Sequence, residues 1–283
     1  MSTITLKNLT MNFGSTTALD NVSLTFQENK IYGLLGRNGA GKSTMLNLIT
    51  NKLFPTSGEV LIDGENVKEN DKALSKVYCM SEKNLFPDQM KVSEVFKWTK
   101  EFYPTFDAEY ANYLCEKFEL NTKKRVKALS TGYASIYKVV AALSSNAPIV
   151  LFDEPVLGLD ANHRDIFYRE LIENYSRAPR TYVISTHLIE EAAELIEKTV
   201  ILKTGKLVLD EDTESLLSRG YTVSGPAPAV DAYTQGKELL GADSLGGLKT
   251  AYIMGELDRS NVPAGLEVSK LDLQKLFIKL TDG

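Results

Sequence analysis

Hydrophobic positions change their period several times along the chain, and each change marks an element. Ile4 to Leu9 alternates, and so does Val22 to Phe26, where Val22, Leu24 and Phe26 face one way and Ser23 and Thr25 the other. Period two predicts strands with one buried face. Ile31 to Leu35 is a short continuous apolar run, which fits a buried strand, and it stops at Gly36. From Ser43 to Leu53 the spacing of Met45, Leu46, Leu48, Ile49 and Leu53 predicts a helix packed on a sheet. The order is strand, glycine loop, helix.

Pro55, Ser57 and Gly58 predict a turn before strands at Glu59 to Ile62 and Val77 to Ser81. A mostly helical block follows. Val92, Val95, Phe96, Thr99 and Phe102 share one helical face, and Tyr110 to Phe118 and Tyr133 to Leu143 are two further helices. Strands return at Ile149 to Phe152, Tyr182 to Ser185 and Val200 to Leu202. Between them lies a helix near His163 to Glu173, and another follows Leu188, with Glu190, Glu191 and Glu194 on its wet side. Alternating strands and helices predict an α/β fold with a largely parallel sheet covered on both faces. After Gly220 the composition shifts. Tyr221 to Ala229, with Gly225, Pro226 and Pro228, reads as a linker or edge. The glycine-rich tail from Val230 onward ends in an amphipathic helix, Leu271 to Leu280, and reads as a small accessory domain.

Composition narrows the function classes. The 283 residues suit one large domain or two smaller ones, and an apolar fraction of 43% excludes disorder as the main state. Lys plus Arg is 32 and Asp plus Glu is 37, a net charge of −5, so nucleic acid is not expected as a partner. Cys79 and Cys115 are too few for a disulfide scaffold and read as reduced thiols in or near the core. The N-terminus lacks the basic and apolar regions of a signal peptide. No apolar run approaches the roughly 20 residues that span a bilayer. Any membrane role is therefore expected to come through a partner.

Gly36-Arg37-Asn38-Gly39-Ala40-Gly41-Lys42-Ser43 matches the Walker A pattern, G-x-x-x-x-G-K-[ST]. Its glycines let successive backbone N–H groups turn onto phosphate oxygens, and the following helix points its positive end at the same place. Lys42 adds a full charge for the β- and γ-phosphates, and Ser43 offers a hydroxyl to Mg²⁺. The nucleotide-contacting set is Gly36, Asn38, Gly39, Ala40, Gly41, Lys42, Ser43 and Thr44. Ile149 to Phe152 ends in Asp153-Glu154, the Walker B arrangement. There Asp153 is expected to hold Mg²⁺ and Glu154 to polarise the attacking water as general base.

The remaining motifs give residues 1–220 a resemblance to the ATP-binding subunits of ABC transporters. Leu129-Ser130-Thr131-Gly132-Tyr133 resembles the family signature Leu-Ser-Gly-Gly-Gln, about twenty residues before the acidic pair. Leu159-Asp160 follows that pair as the family's D-loop does, Ser185-Thr186-His187 ends the next strand as its switch histidine does, and Gly205-Lys206 marks the turn into the last hairpin of the core. The resemblance implies a P-loop NTPase (RecA-like) cassette with an antiparallel β subdomain and a helical subdomain at about 85–145, and the composition shift sets off a C-terminal accessory domain at 221–283.

It also implies ATP and Mg²⁺ as ligands and a head-to-tail pair of cassettes, a homodimer or a heterodimer. Ser130, Thr131 and Gly132 would then cap the ATP on the other subunit's loop. His187 would contact the γ-phosphate, and Asp160 would connect the two sites. Phe13, between the first two strands, stands where the family stacks an aromatic on adenine. His163 has no such support and reads as a surface helix residue.

Three departures from the family pattern stand out. The family's glutamine after the strand near Tyr78 is Glu82 here. It is a candidate donor to Mg²⁺ or water, or a mechanical sensor through the following Leu85, Phe86 and Pro87. Glutamate at this place resembles a branch of bacterial exporters for antibiotics, peptides and similar compounds, as does the terminal helix. Thr131 and Tyr133 replace a glycine and a glutamine of the signature, and Tyr133 could face the helical block. The helix after it, Ala134-Ser135-Ile136-Tyr137-Lys138, lacks the family's arginine near Ile136.

The expected function is an ATPase at the cytoplasmic face of the cell membrane that drives a separate permease, in the export direction. The rival reading is a soluble ABC ATPase for assembly or remodelling, of the iron–sulfur type for example. A nucleotide-regulated binder without turnover is disfavoured by Asp153, Glu154 and His187 together.

Overall fold

The computed structural model describes residues 2–256 and 262–282. The chain opens with an antiparallel hairpin, β1 (Ile4–Phe13) and β2 (Thr16–Phe26). Both strands outrun the alternating segments that predict them. Their pairing slips between Leu6 and Leu9, between Leu9 and Met11, and between Met11 and Asn12. Each slip breaks the period-two pattern that sequence reading relies on. Phe13 is consequently the last residue of β1 and not part of a loop between strands.

The next strand, β3 (Ile31–Leu35), is buried at all five positions. It leads through the glycine loop into α1 (Lys42–Ile49). The helix ends four residues before Leu53, because the Thr50 hydroxyl donates back to the Leu46 carbonyl at 2.9 Å and Asn51 turns left-handed (φ 53°). There follow β4 (Ser57–Ile62), β5 (Glu65–Asn66), α2 (Asp71–Leu74) and β6 (Val77–Met80). The helical block comprises α3 (Val92–Phe102), α4 (Ala108–Lys117), a 3₁₀ turn at Val126–Ala128 and α5 (Thr131–Ser144). The core resumes with β7 (Ile149–Asp153), α6 (Ala161–Arg177), β8 (Thr181–Thr186), α7 (Ile189–Ala192), β9 (Lys198–Lys203), β10 (Lys206–Asp212) and α8 (Thr213–Ser218). The last part holds β11 (Gly220–Pro226), α9 (Ala227–Thr234), β12 (Glu238–Leu245), β13 (Leu248–Met254), β14 (Glu267–Lys270) and α10 (Leu273–Thr281).

The central sheet has the order β10-β9-β3-β8-β7-β6, parallel throughout except for β10. The loops after β3, β6, β7 and β8 therefore leave the same edge of the sheet, the carboxyl edge, where open α/β sheets place ligands. A second, antiparallel sheet runs β2-β1-β4-β5. Side chains of β1, β2 and α1 form one core with the near face of the central sheet, including Leu6, Phe26, Met45, Ile49 and Leu151. The helical block packs its own core onto the other face through Phe118, Tyr137, Val140, Phe152 and Phe167.

The segment read as a linker or edge is the inner strand β11, paired with β13 on one side and β14 on the other. Val223 is fully buried there. Pro226 ends the strand and Pro228 sits in the first turn of α9, where a missing N–H costs nothing. Gly225 and the two prolines thus punctuate a strand-to-helix junction. Leu271, Leu273 and Leu276 pack with Leu35 and Ile201 of the central sheet, so α10 lies behind the glycine loop.

Candidate functional site

The glycine loop leaves the buried end of β3. Gly41 has φ 104°, and a Cβ there would lie 2.5 Å from the Ala18 carbonyl oxygen. Left-handed backbone and close approach together require glycine. The turn at Gly41 starts α1 with no side-chain cap and no acidic residue in its first turn, so its leading N–H groups are open to an anion. Lys42 is 7% exposed, and its Nζ donates to the Gly36 carbonyl at 2.6 Å. Burial lowers the Lys42 pKa, while the charges of Glu154 and Asp153 pull it upward. Gly36 is itself buried beneath the loop and serves as this acceptor.

Ser43 Oγ donates to Asp153 Oδ1 at 3.0 Å. Asp153, at the end of β7, is buried, and burial raises its pKa against the lowering effect of the hydrogen bond from Ser43. Glu154 follows with φ 51°, a left-handed conformation rare for a side-chain-bearing residue and costing about 1 kcal/mol or more. Its N–H donates to the Ser185 carbonyl at 2.9 Å, which fixes that turn against β8. The turn aims the side chain at His187, whose Nδ1 lies 2.8 Å from Glu154 Oε2.

One open cleft of about 520 Å³ lies here, and the buried Gly36 and Asp153 are not among the residues that line it. It brings together loop residues Asn38 to Thr44 with Phe13, Glu82, Glu154 and His187. Phe13 stands half exposed at the rim. Ala18 and Leu157 also line the cleft. Neither was read from the sequence, where nothing distinguishes them from ordinary apolar positions.

Ser130, Thr131, Gly132 and Asp160 are elsewhere. With Gly158 and His163 they line a second open cleft of about 370 Å³. Ser130 caps α5 and accepts from the Tyr133 N–H at 3.4 Å, while Asp160 caps α6 and accepts from the His163 N–H at 2.9 Å. The Asp160 pKa is lowered, first by that backbone hydrogen bond. The start of α5 presses on the loop after β7: a Cβ at Gly132 would lie 2.7 Å from the Gly158 carbonyl oxygen.

Tyr133 turns toward the helical block and meets His163 edge-on at 6.1 Å. His163 is not a bare surface residue. Its ring stacks on Phe118 at 6.0 Å and its Nδ1 lies 2.9 Å from Asp160 Oδ2.

Among the described residues, no group of three or more His, Cys, Asp or Glu side chains is placed to hold a metal ion. The Ser43–Asp153 pair, with Glu82 lining the same cleft, is hard oxygen chemistry. It suits Mg²⁺, which takes one or two protein donors and completes its shell with water and phosphate.

The sequence model of the ABC transporter family matches residues 19–157. The ABC transporter ATP-binding protein YtrB of Bacillus subtilis is 30% identical over 213 residues, spanning 75% of this chain and 73% of that protein. NatA, an ABC transporter ATP-binding protein of the same organism, is 31% identical over 207 residues, 70% of this chain and 83% of that one. Among solved structures, the dimeric bacterial ABC transporter cassette MJ0796 matches with a TM-score of 0.66 and 28% identity, over 74% of this chain and 98% of that one. The same cassette is known as a dimer in a post-hydrolysis state with ADP and Pi. Relatives named for import of osmoprotectants, spermidine/putrescine and choline align as well. The chain belongs to the ABC transporter ATP-binding proteins, a family of ATPases. Among the described residues no helix is long and apolar enough to cross a membrane.

Proposed function

We propose that this chain closes as a pair around two ATP molecules, hydrolyses them, and thereby moves a separate membrane permease in the export direction. One observation carries the pairing. The cleft with the phosphate loop and the cleft with Ser130 to Gly132 are separate in one chain, and both are open. A head-to-tail pair sets the second cleft of each chain over the first cleft of the other, which completes two equivalent sites.

In this reading residues 1–220 form the cassette, with its helical part at about 85–145, and residues 221–283 form the accessory unit. Phe13 stacks on adenine. Loop residues Gly36 to Thr44 carry the phosphates, with Lys42 leaving its Gly36 acceptor for them. Ser43 and Asp153 would hold Mg²⁺, with Glu82 the further donor. When bound, the ion neutralises phosphate charge. Glu154 takes the proton of the attacking water, and His187 orients Glu154 and meets the γ-phosphate. Ser130, Thr131 and Gly132 donate from the start of α5 to the partner's ATP. Asp160 links the two sites across the interface. The loop after Glu82 and the helical block grip the permease, which places the chain at the cytoplasmic face of the membrane.

The export direction rests on Glu82 and the terminal helix, which resemble an exporter branch. Efflux of labelled cargo from cells carrying the chain with its permease tests it; accumulation would reverse the direction. Pairing is tested by sedimentation of Glu154→Gln. A monomer without nucleotide and a stable dimer with ATP support the reading, and a monomer under saturating ATP contradicts it.

A further inference from the structure

Two consecutive side chains of α5 hold the segment that carries Glu82. Lys138 Nζ donates to the carbonyl oxygens of Ser81 at 3.0 Å and Glu82 at 2.6 Å. Tyr137, fully buried, donates its hydroxyl proton to Asn84 Oδ1 at 2.6 Å. Asn84 in turn accepts from the Phe86 N–H at 3.2 Å and donates to the Phe86 carbonyl at 3.0 Å. The stretch between β6 and α3 has no ladder partner over these residues. Its first part, Ser81 to Asn84, is instead held from one turn of α5, while Asp88 and Met90 accept from the Lys127 and Val126 N–H groups.

Charge points to the same residue. Glu82 brings a carboxylate to the wall of a cleft that already holds Glu154, with Asp153 below it. The Lys138 side chain is half-buried, within reach of the charges of Glu82 and Asp153. Burial lowers its pKa, and the charges of Glu82 and Asp153 act to raise it. An ammonium has three donors, and two are spent on the carbonyls. An apolar side chain of similar length would leave both carbonyls without this partner and take one of the positive charges away from the acids.

We propose that Lys138 is a positioning residue for the ATPase site: it fixes the Ser81–Glu82 backbone so that the Glu82 carboxylate projects into the nucleotide cleft, and its cation offsets that carboxylate. The inference rests on the reading of this cleft as the ATP site. It accounts together for two features of this sequence, the acid at position 82 and the lysine at position 138.

The test is a double-mutant cycle on the full chain, read as kcat and KM for MgATP. Lys138→Met is expected to lower kcat about tenfold or more while KM stays within about threefold. Lys138→Arg, which keeps charge and donors, is expected to recover most of the loss. In a Glu82→Ala background nothing remains to be positioned, so Lys138→Met is expected to change kcat by less than about twofold. Tryptic cleavage after Lys83, inside the held segment, reports the tether without turnover. It is expected to quicken several-fold in Lys138→Met and not in Lys138→Arg. An unchanged kcat in Lys138→Met, or the same fold loss in both backgrounds, overturns the proposal. Glu154→Gln is run alongside. If it alone is inert, the reading of the cleft stands and a silent Lys138→Met refutes the positioning role only. If it turns over as fast as the unmodified chain, both fail.

Discussion

His187 Nδ1 and Glu154 Oε2 lie 2.8 Å apart, although 33 residues separate them in sequence. The contact joins the carboxyl ends of two neighbouring parallel strands, β7 and β8. It exists because Glu154 accepts a left-handed backbone that is locked by its N–H on the Ser185 carbonyl. Acid and imidazole are thus held in hydrogen-bond contact, the arrangement that the proposed general base and its orienting partner require. Glu154→Gln keeps shape and hydrogen bonding but cannot take a proton. Its ATP affinity is expected to stay within about threefold, with turnover down by roughly 10²- to 10⁴-fold. His187→Ala is expected to lower kcat about 100-fold with a smaller change in KM. Steady-state kinetics and equilibrium nucleotide binding check both.

Lys42 holds a buried charge against its own loop through Gly36. Lys42→Ala removes the buried positive charge of the phosphate loop. ATP binding is expected to weaken roughly ten- to hundredfold, in line with about 1.5–3 kcal/mol for a hydrogen bond to a charged group. Titration with a fluorescent ATP analogue measures it. Affinity equal to that of the unmodified chain would count against the phosphate role.

Burial pushes the Cys79 thiol up to about 11, and Cys115 likewise to about 11. At pH 8 about one thiol in a thousand is ionised. Alkylation of the native chain by iodoacetamide is therefore expected to be slow at both positions and to accelerate at least tenfold in urea. Peptide mass spectrometry at timed intervals resolves the two sites.

Asp63 gives a dependence on pH. Burial raises its pKa, but a hydrogen bond from Lys76 and another from the Thr3 N–H outweigh it and bring the value below the ordinary 3.8. A folded-state pKa below the unfolded one means that the unfolded chain binds more protons as the pH falls. The stabilisation is full above about pH 4 and is lost as the pH drops through the folded value. Asp63→Asn is expected to cost about 1 kcal/mol or less at pH 7 and to flatten the loss of stability between pH 4 and 3. Urea unfolding across that range checks the slope.

The site was largely legible in the sequence because its chemistry is local. Gly36 to Ser43, Asp153-Glu154 and Ser185-Thr186-His187 each sit at the end of an apolar strand, and parallel pairing of β3, β8 and β7 then brings them together. Legibility failed where tertiary contacts decide. The outer halves of β1 and β2 were hidden by slips in their register. The Gly-Pro stretch at Gly225-Pro226 reads as a linker by composition, yet Val223 beside it is a core residue of an inner strand. His163 gains its ring contacts from Phe118 and Tyr133, far from it in sequence. Lys138 shows its meaning only when the Ser81 and Glu82 carbonyls are seen above it. No spacing rule could have announced those contacts.

The claim that each site is built from two chains is tested most directly by mixing two damaged proteins. Lys42→Ala spoils the phosphate loop and leaves the Ser130 surface intact; Ser130→Arg does the reverse. Each alone is expected to hydrolyse ATP at less than about a tenth of the normal rate. Random pairing makes half the dimers mixed, and a mixed dimer has one sound site of two, so an equal mixture is expected to recover about a quarter of normal turnover. Full activity of Ser130→Arg by itself, or a mixture no more active than its components, would contradict the account.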